Sequence, residues 1–185
     1  MVDRGDEGLS TFMAAYQSGS MAAFEALHTA LGPQLRGYLA ALCRDPGRVD
    51  DLLQDTFLQV HRARHTYQPG RPVRPWVYAI ARNVFLMSRR AAGRRARWEV
   101  LADEELPELP VPAEVESLAD RDTVARALAR VGEERREAVM LHHVMGMSFR
   151  EIGQALGISE GAAKVRAHRG MLELRGSLGA GRGKR

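Results

Sequence analysis

Apolar residues recur at three- and four-residue spacing along nearly the whole chain, and no segment alternates with the two-residue period of a strand. This pattern predicts an all-α fold. Helices are expected near 9–17, 20–30, 33–43, 47–64 and 74–91, then near 120–131, 133–145, 148–156 and 159–176. Gly32-Pro33, Asp45-Pro46-Gly47 and Gln68-Pro69-Gly70 are the expected breaks.

The helical pattern stops between 92 and 118. Pro107, Pro110 and Pro112 stand there among Glu104, Glu105 and Glu108, a composition suited to an extended linker. The 185 residues are enough for two small domains. The expected division is a domain at 9–91, a linker at 92–118, a second domain at 119–176 and a glycine-rich basic tail, disordered, at 177–185.

Charge follows the same division. Residues 1–98 hold 14 Arg against 8 acids, residues 99–122 hold 9 acids against Arg121, and residues 123–185 hold 12 basic against 6 acidic side chains. The net charges are therefore +6, −8 and +6, which sum to the +4 of the whole chain. Two basic blocks point to polyanionic partners, and the acidic block to a basic surface. No apolar run approaches the roughly 20 residues that span a bilayer. The first seven residues lack the apolar core of a signal peptide. Cys43 is the only cysteine, so no intrachain disulfide can form. A cytoplasmic protein without membrane insertion is expected.

The clearest motif lies near the C-terminus. Ser148 and Glu151 have the spacing of a capping box opening a short helix. Gly157 can take the positive φ of a tight turn, and Ser159 can cap the next helix. Small Gly153 permits close packing, and Ile152, Leu156 and Ile158 make an apolar wedge. This is a helix-turn-helix. Its second helix carries Lys164, Arg166, His168 and Arg169, placed to project into a major groove where basic side chains read guanine edges. Val165 and Leu172, with Ala162, are expected to face the core. The bland alternative is a solvated basic helix face.

Two N-terminal helices also stand out. In Val49–Arg62, Val49, Leu52, Leu53, Thr56, Phe57 and Val60 form one apolar stripe. Asp51, Gln54, Asp55, Leu58 and Arg62 form the other face. Leu58 there is either an anchor for a protein partner or an ordinary exposed leucine. In Trp76–Arg90, Val77, Ile80, Ala81 and Val84 repeat as a core face. Trp76, Tyr78, Arg82, Asn83, Arg89 and Arg90 lie off it or at its edge. Aromatics among arginines suit single-stranded nucleic acid, with bases stacking on rings and guanidinium groups holding phosphates. Trp76 suits core packing equally well. Arg94, Arg95 and Arg97 extend the basic end.

Together these segments resemble the extracytoplasmic-function sigma factors of bacterial RNA polymerase. Asp50 to Leu58 is similar to region 2.2 of that family, Trp76 to Asn83 to regions 2.3–2.4, and Ser148 to Arg169 to region 4.2. The resemblance covers about residues 9–176. It implies two small helical domains joined by the acidic, proline-containing linker. It also implies a factor that binds core polymerase, directs it to specific promoters and helps melt the DNA. Asp51, Gln54, Asp55, Leu58 and Arg62 would dock on the clamp helices of the β′ subunit. Trp76, Tyr78, Arg82, Asn83, Arg89 and Arg90, with the loop from Tyr67 to Pro75, would melt the minus-ten element and capture an unstacked base. Arg150, Lys164, Arg166, His168 and Arg169 would read the minus-35 element as duplex, with their domain on the β-subunit flap. The linker would thread the RNA-exit path, and an anti-sigma partner is expected. No metal or cofactor is implied. The chain departs from the pattern at His61, where tryptophan is frequent, and at Val73, where the loop usually has an aromatic.

Two other classes compete. A stand-alone helix-turn-helix regulator would explain 120–176 and leave the N-terminal half unassigned. An enzyme would need a complete site. Asp50, Asp51 and Asp55 on one helix have no partner motif, His61 and His65 lack the intervening glutamate of a zinc-protease motif, and His142-His143 is isolated.

Overall fold

The computed structural model describes residues 4–43, 45–96 and 118–182. Eight α-helices and no strand occur among the described residues. The first four are α1 (Arg4–Gln17), α2 (Met21–Leu42), α3 (Val49–Ala63) and α4 (Val73–Ala96). The second four are α5 (Leu118–Arg130), α6 (Glu133–Val139), α7 (Phe149–Leu156) and α8 (Glu160–Arg182). Most of the linker expected at 92–118 lies outside the described residues. Its first part does not, for α4 continues to Ala96.

Local chemistry sets the connections. Gly19 takes φ 101° between α1 and α2, and the Ser20 side chain then accepts from the Ala23 N–H to cap α2. The Asp45 carboxylate accepts from the Gly47 N–H at 3.0 Å, starting the short 3₁₀ turn Pro46–Arg48 before α3. Gly32-Pro33 is not a break, since Pro33 lies inside α2. The ring removes the hydrogen bond to the Thr29 carbonyl. Thr29 and Pro33 are both exposed, so the missing bond falls on the solvent side of α2.

The start of α4 depends on a distant residue. The buried Asp6 carboxylate accepts from the Val73 N–H at 2.7 Å and the Arg74 N–H at 3.3 Å. Both donors are in the first turn of α4, where no intrahelical acceptor exists. Burial raises the pKa of Asp6, while these two hydrogen bonds and Arg74 act to lower it. Pro75 sits in the same turn, where its missing N–H breaks no helical bond.

Tyr16, Leu27, Leu31, Leu35, Leu52, Phe57, Val77 and Ala81 fill the N-terminal core. Leu128, Met140, Leu141, Met147 and Ile152 fill the C-terminal one. Each buried leucine, isoleucine, valine, methionine or phenylalanine among them contributes about 1.5–3 kcal/mol by leaving water. The α6 helix runs into one π-helical turn at Met140–Val144 before the α7 cap. The two halves also pack together, α4 against α7 and α2 against α6.

The C-terminal tail differs from expectation. Residues 177–182, expected to be disordered, continue α8 through Arg182. Extending a formed helix avoids the nucleation cost that a separate glycine-rich helix would face.

Candidate nucleic-acid interface

The outer face of α3 is open. Asp51, Gln54, Asp55, Leu58 and Arg62 are all exposed, with Leu58 at 43%. The inner stripe is buried at Val49, Leu52, Thr56, Phe57 and Val60, while Leu53 is half-buried. Leu58 therefore stands as an apolar centre in a polar ring. The structure leaves both readings of Leu58 in place.

The loop before α4 is closed by Tyr67. Its hydroxyl donates to the Arg71 carbonyl, and Gly70 takes φ 83° to make the bend. Trp76 meets the Tyr67 ring edge-on at 5.6 Å between centroids. The two rings help line a cavity of about 400 Å³ with Arg71, Pro72, Pro75 and Gln154. Trp76 thus packs on the core and lines a cavity at once. Val73, read from sequence as a loop residue, is instead the first residue of α4 and is fully buried.

Further along α4 the expected nucleic-acid residues divide. Asn83 and Arg90 are exposed. Arg82 Nε donates to both Glu137 carboxylate oxygens, at 3.1 and 3.3 Å. Arg89 pairs with Glu133 and lies over the Phe85 ring at 5.6 Å. Tyr78, expected to face nucleic acid, is instead buried, its ring edge-on to Tyr38 at 5.0 Å. Burial raises its phenol pKa far above the usual range. The core face of α4 is wider than its spacing suggested, taking in Val77, Tyr78, Ala81, Val84 and Phe85, because α6 and α7 lie against α2 and α4. The side chains of Arg94 and Arg95, and Arg97 entirely, lie outside the described residues.

The helix-turn-helix has the expected caps. The Glu151 N–H donates to Ser148 Oγ at 3.3 Å, and the Ser148 N–H donates to Glu151 Oε2 at 2.8 Å. Gly157 takes φ 67°, and the Ala162 N–H donates to Ser159 Oγ at 3.1 Å. A Cβ on Gly153 would stand 2.8 Å from the Ile158 carbonyl oxygen, so the turn closes directly over this glycine.

Arg150, Lys164, His168 and Arg169 are exposed, whereas Arg166 is half-buried and pairs with Glu134 at 3.0 Å. The inner face of α8 is not the expected one. Val165 and Leu172 are exposed, at 48% and 55%, and Ala163, Ala167, Gly170 and Leu174 are buried instead. Small residues let α8 approach α6. A Cβ on Gly170 would lie 2.7 Å from Val139 Cγ2 and 2.8 Å from the Arg135 carbonyl oxygen.

Five residues with a part in these surfaces escaped the sequence reading: Asp6, Glu133, Glu134, Glu137 and Gln154. Asp6 and Glu137 find their partners 55 or more positions away, so no local pattern marks them.

Residues 27–95 match the family model described as Sigma-70 region 2, and residues 121–174 match Sigma-70, region 4. The RNA polymerase sigma factor CarQ of Myxococcus xanthus is 39% identical over 172 residues, covering 90% of this chain and 95% of that protein. The ECF RNA polymerase sigma factor SigL of Mycobacterium tuberculosis is 32% identical over 166 residues, covering 87% and 94%. Among solved structures, CnrH in complex with the cytosolic domain of CnrY is similar with a TM-score of 0.71 at 26% identity, covering 94% of this chain and 98% of that one. The sigma factor RpoE in complex with the anti-sigma factor NepR from Bartonella quintana gives a TM-score of 0.73 at 26% identity, covering 84% and 96%.

The two matched regions on an all-α, two-domain fold define a promoter-specific transcription initiation factor that works with core RNA polymerase. The chain belongs to the extracytoplasmic-function sigma factors. It is an initiation factor and not an enzyme, and a helix-turn-helix regulator alone leaves the region 2 match unexplained. No helix among the described residues is long and apolar enough to cross a membrane.

Proposed function

We propose that the promoter is opened at the loop and first turns of α4. The observation that carries this is the open cavity of about 400 Å³ lined by Tyr67, Trp76, Arg71 and Pro75, large enough to take one flat ring beside the Arg71 side chain. An unstacked base of the minus-ten element enters there, and Arg82, Asn83, Arg89 and Arg90 hold the strand by its phosphates. Tyr78 takes no part, because it belongs to the core. The residues 9–91 form the unit that does this, and 119–176 form the unit that reads duplex.

In the second unit, Arg150, Lys164, Arg166, His168 and Arg169 face the minus-35 element, and the domain rests on the β flap. The α3 face of Asp51, Gln54, Asp55, Leu58 and Arg62 docks on the β′ clamp helices, with Leu58 as its apolar anchor. The acidic linker threads the RNA-exit path. The protein acts in the cytoplasm and is held by an anti-sigma partner, a reading supported by RpoE, whose structure is a complex with an anti-sigma factor.

The test is transcription by bacterial core polymerase on supercoiled source-genome DNA, with transcript 5′ ends sequenced with and without the chain. New starts sharing two upstream elements are expected. Trp76→Ala is expected to retain core binding and lose permanganate-reactive thymines at those starts. Unchanged reactivity would remove the cavity from the opening step.

A further inference from the structure

Helix α1 grips the segment from Arg64 to Arg74 at both of its ends. At the far end, the Asp6 carboxylate accepts from the Val73 N–H at 2.7 Å and the Arg74 N–H at 3.3 Å. At the near end, the Gln17 side-chain amide donates to the Arg64 carbonyl at 2.6 Å and the Tyr67 carbonyl at 2.9 Å. Asp6 and Gln17 stand eleven positions apart. On an α-helix that is about three turns and roughly 16 Å, so both side chains leave the same face. We propose that α1 is a splint: Asp6 and Gln17 are positioning residues that fix the shape of the cavity lined by Tyr67 and Trp76, and with it the capture of an unstacked base. The proposal rests on the assignment of that cavity to base capture.

The backbone groups held in this way belong to the cavity wall or adjoin it. Thr66, Tyr67, Pro72 and Pro75 line the cavity. Gln17 fixes the Tyr67 peptide, and Asp6 fixes the two residues between Pro72 and Pro75. Residues 68–71 between the grips are exposed, so core packing does not set their path. Their own bonds there are the Arg71 N–H to the Gln68 carbonyl at 3.2 Å and the Tyr67 hydroxyl to the Arg71 carbonyl. Helix α1, by contrast, is firmly seated. Leu9, Met13 and Tyr16 are buried in the N-terminal core, and the Tyr16 hydroxyl lies in a hydrogen bond of 2.6 Å with His61 Nδ1. His61, where tryptophan is frequent in the family, thereby ties α1 to α3. A stiff, seated helix thus sets where both ends of an exposed loop must lie.

The experiment compares wild type, Asp6→Ala and Gln17→Met as full-length chains, free and bound to core polymerase. In the free chain, hydrogen–deuterium exchange is followed over residues 64–76. Both variants are expected to exchange about tenfold faster there, the consequence of losing two hydrogen bonds, while peptides from α6 and α8 are unchanged. In the holoenzyme, affinity is measured by anisotropy for a fluorescein-labelled single strand carrying a minus-ten element located by transcript sequencing. The strand is scanned with an abasic site at each position. Wild type is expected to lose affinity sharply at one position, that of the captured base. There the ratio of intact to abasic affinity is expected to fall about tenfold in both variants, as the fraction of loop in the capturing shape falls. A chain that is merely less stable forms less active holoenzyme, which lowers binding of both strands alike and leaves the ratio unchanged.

Unchanged exchange in the folded variants, or faster exchange with an unchanged ratio, overturns the splint. If circular dichroism shows that Asp6→Ala does not fold, Gln17→Met decides, because Gln17 is only half-buried and methionine keeps its length. Trp76→Ala tests the reading beneath the proposal. Loss of the ratio in Trp76→Ala, with the ratio intact in Gln17→Met, overturns the splint alone. An intact ratio in Trp76→Ala, or a wild-type scan without such a position, removes the cavity from base capture and the splint with it.

Discussion

The Tyr38 hydroxyl donates to a Glu137 carboxylate oxygen at 2.7 Å, joining α2 to α6 across 99 positions of sequence. Burial and the neighbouring carboxylate hold the Tyr38 phenol well above its usual pKa, so it stays protonated and remains a donor. Tyr38→Phe keeps the ring and removes the donor. Hydrogen bonds to charged groups contribute about 1.5–3 kcal/mol. The variant is expected to lose stability in that range, read as a lower urea midpoint.

Leu58 is exposed at the centre of the α3 face and supports nothing inside the fold. Leu58→Asp is therefore expected to leave thermal unfolding within about 0.5 kcal/mol of wild type. Core polymerase affinity, measured by fluorescence titration, is expected to fall by about 2 kcal/mol, roughly thirtyfold. Unchanged affinity would take the docking surface away from α3.

Lys164 and Arg169 project from α8 without a packing role. Lys164→Ala and Arg169→Ala are each expected to reduce discrimination at the minus-35 element while core binding persists. A side chain that holds phosphate would also lower the slope of log affinity against log salt by about 0.9. A side chain that reads a base edge would instead change sequence preference with a smaller effect on slope. Promoter binding by holoenzyme across a salt series separates the two roles.

Gly153 has no room for a methyl group, because the Ile158 carbonyl oxygen lies 2.8 Å from where it would stand. The obstacle is backbone and cannot rotate away. Gly153→Ala is expected to cost about 1–3 kcal/mol, the range for overpacking a tight core, and to lower the thermal midpoint of the full chain. Gly161→Ala, with open space around its Cβ, is the matched control and is expected to change little.

His143 provides a pH test. Burial, then His142, then Arg175, lowers its pKa below the ordinary 6.5. The unfolded chain therefore takes up this proton before the folded one does. The contribution of His143 to stability is full above 6.5 and is lost as pH falls through the depressed folded value. His143→Gln is expected to flatten that acid-side loss in urea melts run as a pH series. A slope identical to wild type would mean that His143 is not its source.

Much of this was legible where the determinants are local. The capping box at Ser148 and Glu151, the turn at Gly157 and the inner stripe of α3 each depend on neighbours a few residues away, and all formed as their spacing predicted. Misreadings arose where a distant element decided the outcome. Tyr78 is buried because α6 and α7 pack onto α2 and α4. Val165 and Leu172 looked like core because they are apolar, yet the face that is buried carries Ala163, Ala167 and Gly170, and at Gly170 α6 comes too close for any side chain. The Gly32-Pro33 pair looked like a break because a sequence does not show that Thr29 faces water. The carboxylates of Asp6 and Glu137 had no local signature.

The back of α8 separates what this protein can change from what it cannot. Ala163, Ala167 and Gly170 are buried, and α6 leaves no space for a larger side chain at Gly170. Lys164, His168 and Arg169, on the same helix, are exposed to solvent. On the proposed assignment of these outward residues to promoter contact, descendants of this gene can exchange them one at a time, trying new promoter sequences, while each intermediate still folds. Regulons can diverge along one side of a single helix, and the other side keeps the experiment safe.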